Sequence, residues 1–434
     1  MINLGGGRLS ARLLGTACMF AAGWAVNPAC AQLQGRILDT STVGRNVSVM
    51  QRDRPEYSSQ GILIGGFIVQ PSVAGGVGAT NNIFQTEDDK KSDAYLNFTP
   101  RLTADTTWAR NAMSAEVHGD FKRFLDYSVR NEDAFGGSVG GRYDIGVDSS
   151  INAQFGFDRY YESQYFLTTV LPGSSTIPVD TFTGTVSGTS GFGPLRLSLI
   201  GNFERQDYGT YTSFSGDTLD QDNRDRTSYA VAGQVDYAVA EGTYAFAQIG
   251  FEKVEYDTEL SPGVANRDSK AVRAIAGVSL DLTQLVRGRV GVGYIRRSYR
   301  SPLFDNAGGL AVEARLEYFP SELTTVTINA RRVLEDASTT VQGGFFRTGG
   351  DVRVDHELLR NLILSAVGRY EKADYGSTLG SGTIAQVQGL AKLLVSPHFS
   401  LDGNVNYARR KQDTAVAGNS FRELRGLLSA RYQF

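Results

Sequence analysis

Strict two-residue alternation of apolar and polar side chains recurs along most of this chain, and it constrains the fold more than any other feature. Over residues 94–108 the even positions read Ala, Leu, Phe, Pro, Leu, Ala, Thr, Trp, while the odd ones include Asn97, Thr99, Arg101, Thr103 and Asp105. The same period runs through 195–203 and 310–318. A period of two belongs to a strand whose faces meet different environments, not to a helix. Eighteen such segments begin near residues 66, 93, 112, 132, 150, 179, 195, 226, 243, 269, 286, 307, 323, 344, 362, 381, 399 and 419. Most run for about 12–16 residues, enough for a tilted strand to cross a bilayer. Two of the long connections are long enough to blur the count, so sixteen strands is the alternative.

Composition narrows the class. The 434 residues include 50 Gly, 23 Phe, 20 Tyr and only 11 Pro, with a mean hydropathy of -0.22. That value excludes a polytopic helical membrane protein, whereas a barrel wall, half apolar and half polar, averages near zero. With 43 basic against 46 acidic residues the formal charge is -3, so a nucleic-acid partner is not expected.

The first residues read as a targeting segment. Arg8 and Arg12 precede an apolar run over 13–26, Asn27-Pro28 breaks it, and Ala29 and Ala31 flank Cys30 in a small-x-small site before Gln32. This is the layout of a secretory signal peptide, 1–31, cleaved after export. The run is too short to span a core of about 30 Å. Both cysteines, Cys18 and Cys30, fall inside it, so the mature chain is expected to hold no disulfide and no thiolate metal site. Residues 32–60 show no alternation and read as an irregular periplasmic lead, with a plug or an interaction arm as alternatives. The barrel would occupy 61–434.

Connections between segments alternate in length. Tight turns lie at 109–111, 191–194, 240–242, 320–322, 359–361 and 396–398, and longer ones at 81–92, 163–178, 209–225, 257–268 and 410–418. Short periplasmic turns and long outer loops are the habit of bacterial outer-membrane barrels, and a soluble meander has no reason for it. Aromatic residues agree. Phe121, Phe135, Tyr161, Phe203, Tyr229, Phe251, Tyr294, Phe346, Tyr370 and Tyr407 share the apolar parity near the long-loop ends. Trp108, Tyr143, Tyr237, Tyr318 and Phe399 do so near the short turns. Two such girdles suit rings at the two membrane interfaces. The chain ends with Leu428, Tyr432 and Phe434 on one parity, the form of a C-terminal barrel-insertion signal. Because backbone groups must be paired in hydrocarbon, the expected fold is a closed antiparallel up-and-down β-barrel, all-β, with both termini periplasmic.

The polar parity then faces a lumen. In the first half it carries Arg101, Asp105, Glu116, Asp120, Lys122, Arg142, Asp144 and Asp158. In the second half it carries Arg273, Arg289, Glu313, Arg315, Arg331, Arg347, Arg353, Arg369 and Arg425. Such charges require hydration or pairing, and two arrangements meet the need: an acidic wall facing a basic wall, or a ladder of ion pairs. Little else suggests chemistry. His118, His356 and His398 lack metal-ligand spacing, and His118 with Ser114 or Asp120 lacks an activating motif. Asp217, Asp220, Asp222 and Asp225 lack the Gly and terminal Glu of a calcium loop. The chain reads as no enzyme and as needing no cofactor or metal.

At Arg52-Asp53-Arg54-Pro55-Glu56-Tyr57, Gly61-Ile62, and Gly66-Phe67-Ile68-Val69-Gln70-Pro71-Ser72 the chain resembles the outer-membrane β-barrel porin 2 family. The resemblance continues through Asn82-Ile83-Phe84, Lys91-Ser92-Asp93-Ala94 and Pro100-Arg101-Leu102. It implies a proteobacterial outer-membrane location, a link of some members to exopolysaccharide export, and no catalytic residues. The expected function is a porin-like channel for passive passage of polar solutes, with exopolysaccharide export as a narrower form. The alternative is a structural or adhesion barrel with a closed lumen and interacting outer loops. Expected partners are outer-membrane lipid and lipopolysaccharide, the barrel-insertion machinery, and a polar solute or polysaccharide.

Overall fold

The computed structural model of the chain describes residues 47–167, 173–260, 262–281, 285–337, 342–376, 380–413 and 419–434. The segment 1–31, with Ala29 and Ala31, therefore lies outside the described residues, as does the first part of the lead. The alternating segments become eighteen barrel strands. The first nine are β1 (Phe67–Thr80), β2 (Asp93–Thr106), β3 (Ala112–Phe124), β4 (Glu132–Asp144), β5 (Ser149–Glu162), β6 (Ile177–Phe192), β7 (Leu195–Tyr208), β8 (Arg226–Ala240) and β9 (Thr243–Tyr256). The rest are β10 (Ser269–Asp281), β11 (Val286–Tyr299), β12 (Ala307–Ser321), β13 (Thr324–Asp336), β14 (Gly344–Leu359), β15 (Leu362–Asp374), β16 (Ser381–Leu394), β17 (Phe399–Gln412) and β18 (Phe421–Gln433). Every start agrees with the periodicity to within two residues, and the count is eighteen rather than sixteen.

Each strand is antiparallel to its sequence neighbours, and β18 returns to pair with β1 from Ser72↔Gln433 to Thr80↔Arg425. Closure leaves the backbone ladder without a free edge, which is what hydrocarbon demands. The start of β1 pairs instead with a short strand, Ile62–Ile64, folded back on it (Ile64↔Phe67). The tight turns depend on local backbone freedom. Gly242 has φ +71, and a Cβ there would lie 2.3 Å from the carbonyl oxygen of Asp281.

Burial along the strands is inverted relative to a soluble sheet. In β9 the exposed set is Ala247, Ile249, Phe251 and Lys253, while Phe246, Gln248, Glu252, Val254 and Tyr256 are buried. Leu199, Val387 and Leu428 are each 60% exposed or more. A continuous apolar surface of this kind is unfavourable in water and is the stable outer face in lipid.

The aromatic residues named above lie on that outer face, in rows set by register. Tyr229 stands opposite Phe203 and Phe98 opposite Phe121, with ring centroids 5.6 and 6.4 Å apart. Trp108, Phe135, Tyr143, Tyr237, Phe251, Tyr294, Tyr318, Tyr370, Phe399 and Tyr407 are exposed. Phe121, Tyr161 and Phe346 are half-buried. Three rings depart from a pure girdle: Phe98, Phe155 and Phe182 are exposed toward the middle of β2, β5 and β6. Leu428, Tyr432 and Phe434 are also exposed on the outer face, with Tyr432 edge-on to Phe434 at 5.0 Å. An even number of strands places both Phe67 and Gln433 at the short-turn rim.

Candidate functional site

The second parity faces the inside of the ring, as its ion pairs reveal. Arg289 on β11 reaches Asp236 on β8 at 2.8 Å, and Arg297 on β11 reaches Glu252 on β9 at 2.6 Å. Side chains from non-adjacent strands can meet this way only on the concave face. The charged residues expected in the lumen all lie on this parity, and most are paired. Arg101 meets Glu116 at 2.8 Å, Lys122 lies between Asp120 (3.2 Å) and Glu132 (2.8 Å), and Arg142 meets Asp144 at 2.7 Å. Arg273 pairs with Glu313 at 2.9 Å, Arg315 with Glu317 at 2.9 Å, and Arg353 with Asp355 at 2.9 Å. Glu371 gathers Arg331, Arg347 and Arg369 at 3.0, 3.1 and 2.6 Å, and Arg425 sits on Glu423 at 2.6 Å. Asp105 is exposed near the short-turn end.

Of the two charge arrangements, the paired one is therefore the one built. Each arginine of β10–β18 in this set except Arg289, which reaches Asp236 of β8, is neutralised by an acid of β10–β18, which cancels most of a transverse field. Such pairs hold geometry more than they add net stability, because both ions had to be desolvated. Glu132, Glu335 and Asp336 complete the network, although parity alone did not separate these strand-end acids from loop acids.

The lumen wall is uneven. Over β8–β10 it is packed, with Gln234, Asp236, Phe246, Gln248 and Ile275 all buried. Over β3–β7 short polar side chains stay half-exposed, Ser114, Ser138, Asn152, Thr185, Ser187 and Asn202, with Gln154 exposed, although Ser198, Glu204 and Gln206 of β7 are buried. His118 belongs to this side. Its ring nitrogens face Glu116 (3.4 Å) and Asp158 (3.2 Å), not Ser114 or Asp120. His356 lies on the outer parity at the short-turn end, bonded to Thr324 Oγ1 at 3.0 Å. His398 Nδ1 donates locally to the Gln433 carbonyl, 2.9 Å away.

At the long-loop mouth, the segment after β5 folds inward and crosses the opening. Tyr165 and Leu167 are buried with Ala337, Phe345 of β14, Ala373 of β15, Tyr375, Ile384 of β16, Ala408 of β17 and Phe421 of β18. Strand β14 is nine steps from β5 in a ring of eighteen, so the loop reaches the opposite wall. Tyr165 donates to Glu423 at 2.5 Å, and burial pushes its phenol well above the ordinary range. Arg410 donates to the Gln164 carbonyl at 3.0 Å and to Gln164 Oε1 at 2.8 Å. Arg130 ties the neighbouring loop to the Gly173 carbonyl at 2.9 Å, and burial there lowers its pKa to about 10. The aspartates of 217–225 do not converge. Asp217 accepts from Ser215, Asp220 from the Asp222 amide, and Asp225 from the Tyr208 amide.

The short-turn mouth also holds chain. Residues 49–51 and 55–57 form single turns of 3-10 helix rather than a wholly irregular lead. Val49 is completely buried and donates its amide to Thr325 Oγ1 at 3.0 Å. Arg54 bonds Glu357 at 2.7 Å and Arg52 approaches the same carboxylate at 3.4 Å. This part of the lead docks on β13 and β14 inside the rim.

Comparison with known proteins places this architecture. No curated protein matches the chain. Among solved structures, the outer membrane protein OpdK of Pseudomonas aeruginosa is similar at 13% identity and TM-score 0.45, covering 84% of this chain and 99% of that one. A BenF-like porin from Pseudomonas fluorescens Pf-5 is similar at 11% identity and TM-score 0.46, covering 86% and 100%. The P. aeruginosa protein OccK2 (OpdF), solved in complex with glucuronate, is similar at 12% identity and TM-score 0.45, covering 87% and 99%. The family model described as "Putative beta-barrel porin 2" matches residues 54–434. The chain belongs to that family, as a porin-like β-barrel of the bacterial outer membrane.

Proposed function

We propose that the protein is a passive channel for small polar solutes, with its outer mouth narrowed by the inward loop 163–167. The observation that carries this reading is the strip of half-exposed hydroxyl and amide side chains over β3–β7. An inner wall of that kind is stable only against water, and its hydroxyls and amides offer hydrogen bonds between the charged groups of Glu116, Arg142, Asp144 and Asp158 on the same strands. In this reading residues 1–31 are a cleaved signal peptide, both termini face the periplasm, and the long loops face the exterior. Nothing in the site requires catalysis: the chemistry is desolvation and rehydration along the strip. Exopolysaccharide export is a more demanding version, because a polymer needs the loop 163–167 to leave the mouth. The test is swelling of liposomes containing the purified protein in sugars of increasing size. Uptake of mono- and disaccharides with a sharp fall for larger oligomers supports the small-solute channel. Equal passage of long oligosaccharides supports export, and no uptake of any sugar supports a closed structural barrel.

A further inference from the structure

Basic side chains also occur on the outer, lipid-facing parity, and only near the long-loop ends. Over the first half of the barrel each of those described here has an acidic partner. Arg123 meets Asp133, Arg159 meets Asp180 at 2.5 Å, Arg205 meets Asp257 at 2.8 Å, and Lys253 meets Glu255 at 2.6 Å. From β10 onward the pattern changes: Lys270, directly opposite Lys253, and Arg296 are exposed without an ion pair among the described residues, and the largest such group lies on β13–β18. Register sets Arg332, Thr348, Lys372, Thr383 and Lys411 side by side across five consecutive strands, basic and hydroxyl groups alternating. One row closer to the membrane, Arg409 of β17 stands directly opposite Arg422 of β18. Lys372, Lys411 and Arg422 are exposed and Arg409 is half-buried. None of these four has a carboxylate within 4 Å among the described residues, although Lys372 stands close enough to Asp413 to interact with it electrostatically, and the segments 377–379 and 414–418 contain no acid. Asp374 and Asp413 lie at the loop side of the row, where Asp413 accepts from the amide and hydroxyl of Ser381.

Two like charges in directly opposed positions of a sheet repel, and a negative group between them relieves the repulsion. Adjacent strands are about 4.8 Å apart, so basic groups on alternate strands stand about 10 Å apart with a hydroxyl between them. That spacing suits phosphate groups, which take hydrogen bonds from both Arg and Thr. Exposed Tyr370 and Tyr407 lie just below, at the level where rings meet the headgroups.

We infer that Lys372, Arg409, Lys411 and Arg422 form a binding site for the phosphorylated headgroup of an outer-leaflet glycolipid. The inference rests on the long loops facing the cell exterior, as in the proposed function. A lipid anchored in the leaflet presents its phosphates at this height, whereas a free phosphate gains nothing from the apolar wall beneath.

The test is native mass spectrometry of the full-length protein in detergent micelles with bisphosphorylated lipid A. Wild type should retain one lipid A through gas-phase stripping of detergent. The variant Lys372→Ala/Arg409→Ala/Lys411→Ala/Arg422→Ala should lose at least tenfold in retention, since each basic group near an anionic lipid contributes separately. Arg123→Ala/Lys253→Ala, which removes ion-paired residues elsewhere on the outer face, should retain lipid as wild type does. Dephosphorylated lipid A should not be retained, and inorganic phosphate at millimolar concentration should not displace the bound lipid. Equal retention by wild type and the fourfold variant, or by phosphorylated and dephosphorylated lipid, overturns the inference. Displacement by inorganic phosphate overturns the lipid and leaves a free-anion site. Heat-dependent migration on gels checks that each variant is folded. Because lipid retention is read without transport, its failure is separate from failure of the channel reading.

Discussion

Removing the Arg410 side chain should release the loop that crosses the outer mouth. Arg410 is 1% exposed, and its Nη1 lies 3.0 Å from the Gln164 carbonyl, 2.8 Å from Gln164 Oε1 and 3.4 Å from the Phe166 carbonyl. These contacts share one nitrogen, so they count as one to two charge-assisted bonds, worth about 2–3 kcal/mol. At about 1.4 kcal/mol per factor of ten, Arg410→Ala shifts the loop equilibrium toward the open form by roughly 30- to 150-fold. The Tyr165–Glu423 bond and the apolar cluster around Leu167 remain, so the lower end of that range is expected. Both cysteines lie within 1–31, so in protein purified from residue 32 onward Leu167→Cys supplies a single reporter thiol. Leu167 is 2% exposed, and the polar thiol reagent should react slowly in the Arg410 background and at least tenfold faster with Arg410→Ala. Labelling rates within twofold of each other, in protein with folded-barrel gel mobility, would refute the claim that this arginine holds the loop.

Three further outcomes follow from the same network. Arg297 is fully buried between Glu252 and Asp336, so Arg297→Ala strands two carboxylates and should cost about 3–5 kcal/mol in denaturant unfolding from micelles. Arg297→Ala/Glu252→Gln/Asp336→Asn should recover part of that loss, and no loss in the single variant would contradict the pairing. Glu357→Gln weakens the clasp on Arg54 and Arg52, so trypsin should cleave the 47–57 segment faster than in wild type while the barrel stays resistant. Asp225 is raised to about 6, chiefly by burial, with Asp207, Asp222 and Asp257 adding to the shift. Its folded pKa lies above its unfolded value, so the folded loop binds the extra proton. Stability of the 209–225 loop should therefore fall as pH rises from about 4 through about 6 and stay level above that. Protease resistance of the loop measured across that window should show the fall in wild type and not in Asp225→Asn.

Strand positions were legible because a barrel wall separates lipid from water one residue at a time. In β9 and β10 the alternation runs through the strand without help from turn residues. Parity also tells which side chains face inward, and it breaks only at the register shifts beside short turns, as at Ala238/Ala240 and Tyr318/Ser321. What parity could not supply was the partner. Asp236 lies three strands from Arg289, and that contact depends on how the ring curves. The two mouths were less legible still. The loop 163–167 is held by Arg410, 246 residues from Gln164, and the lead by Glu357, 303 residues from Arg54. No local pattern records contacts between such distant positions. The lead read as irregular because its turns are single and its burial comes from β13 and β14, not from its own periodicity.

The central claim is that water and small solutes cross the lumen along the β3–β7 wall. Single-channel recording of the purified full-length protein in planar bilayers tests it most directly. The account predicts stepwise, ohmic conductance with weak ion selectivity, because the inner charges are paired, and a larger step for Arg410→Ala. Insertion of folded protein with no conductance would contradict it.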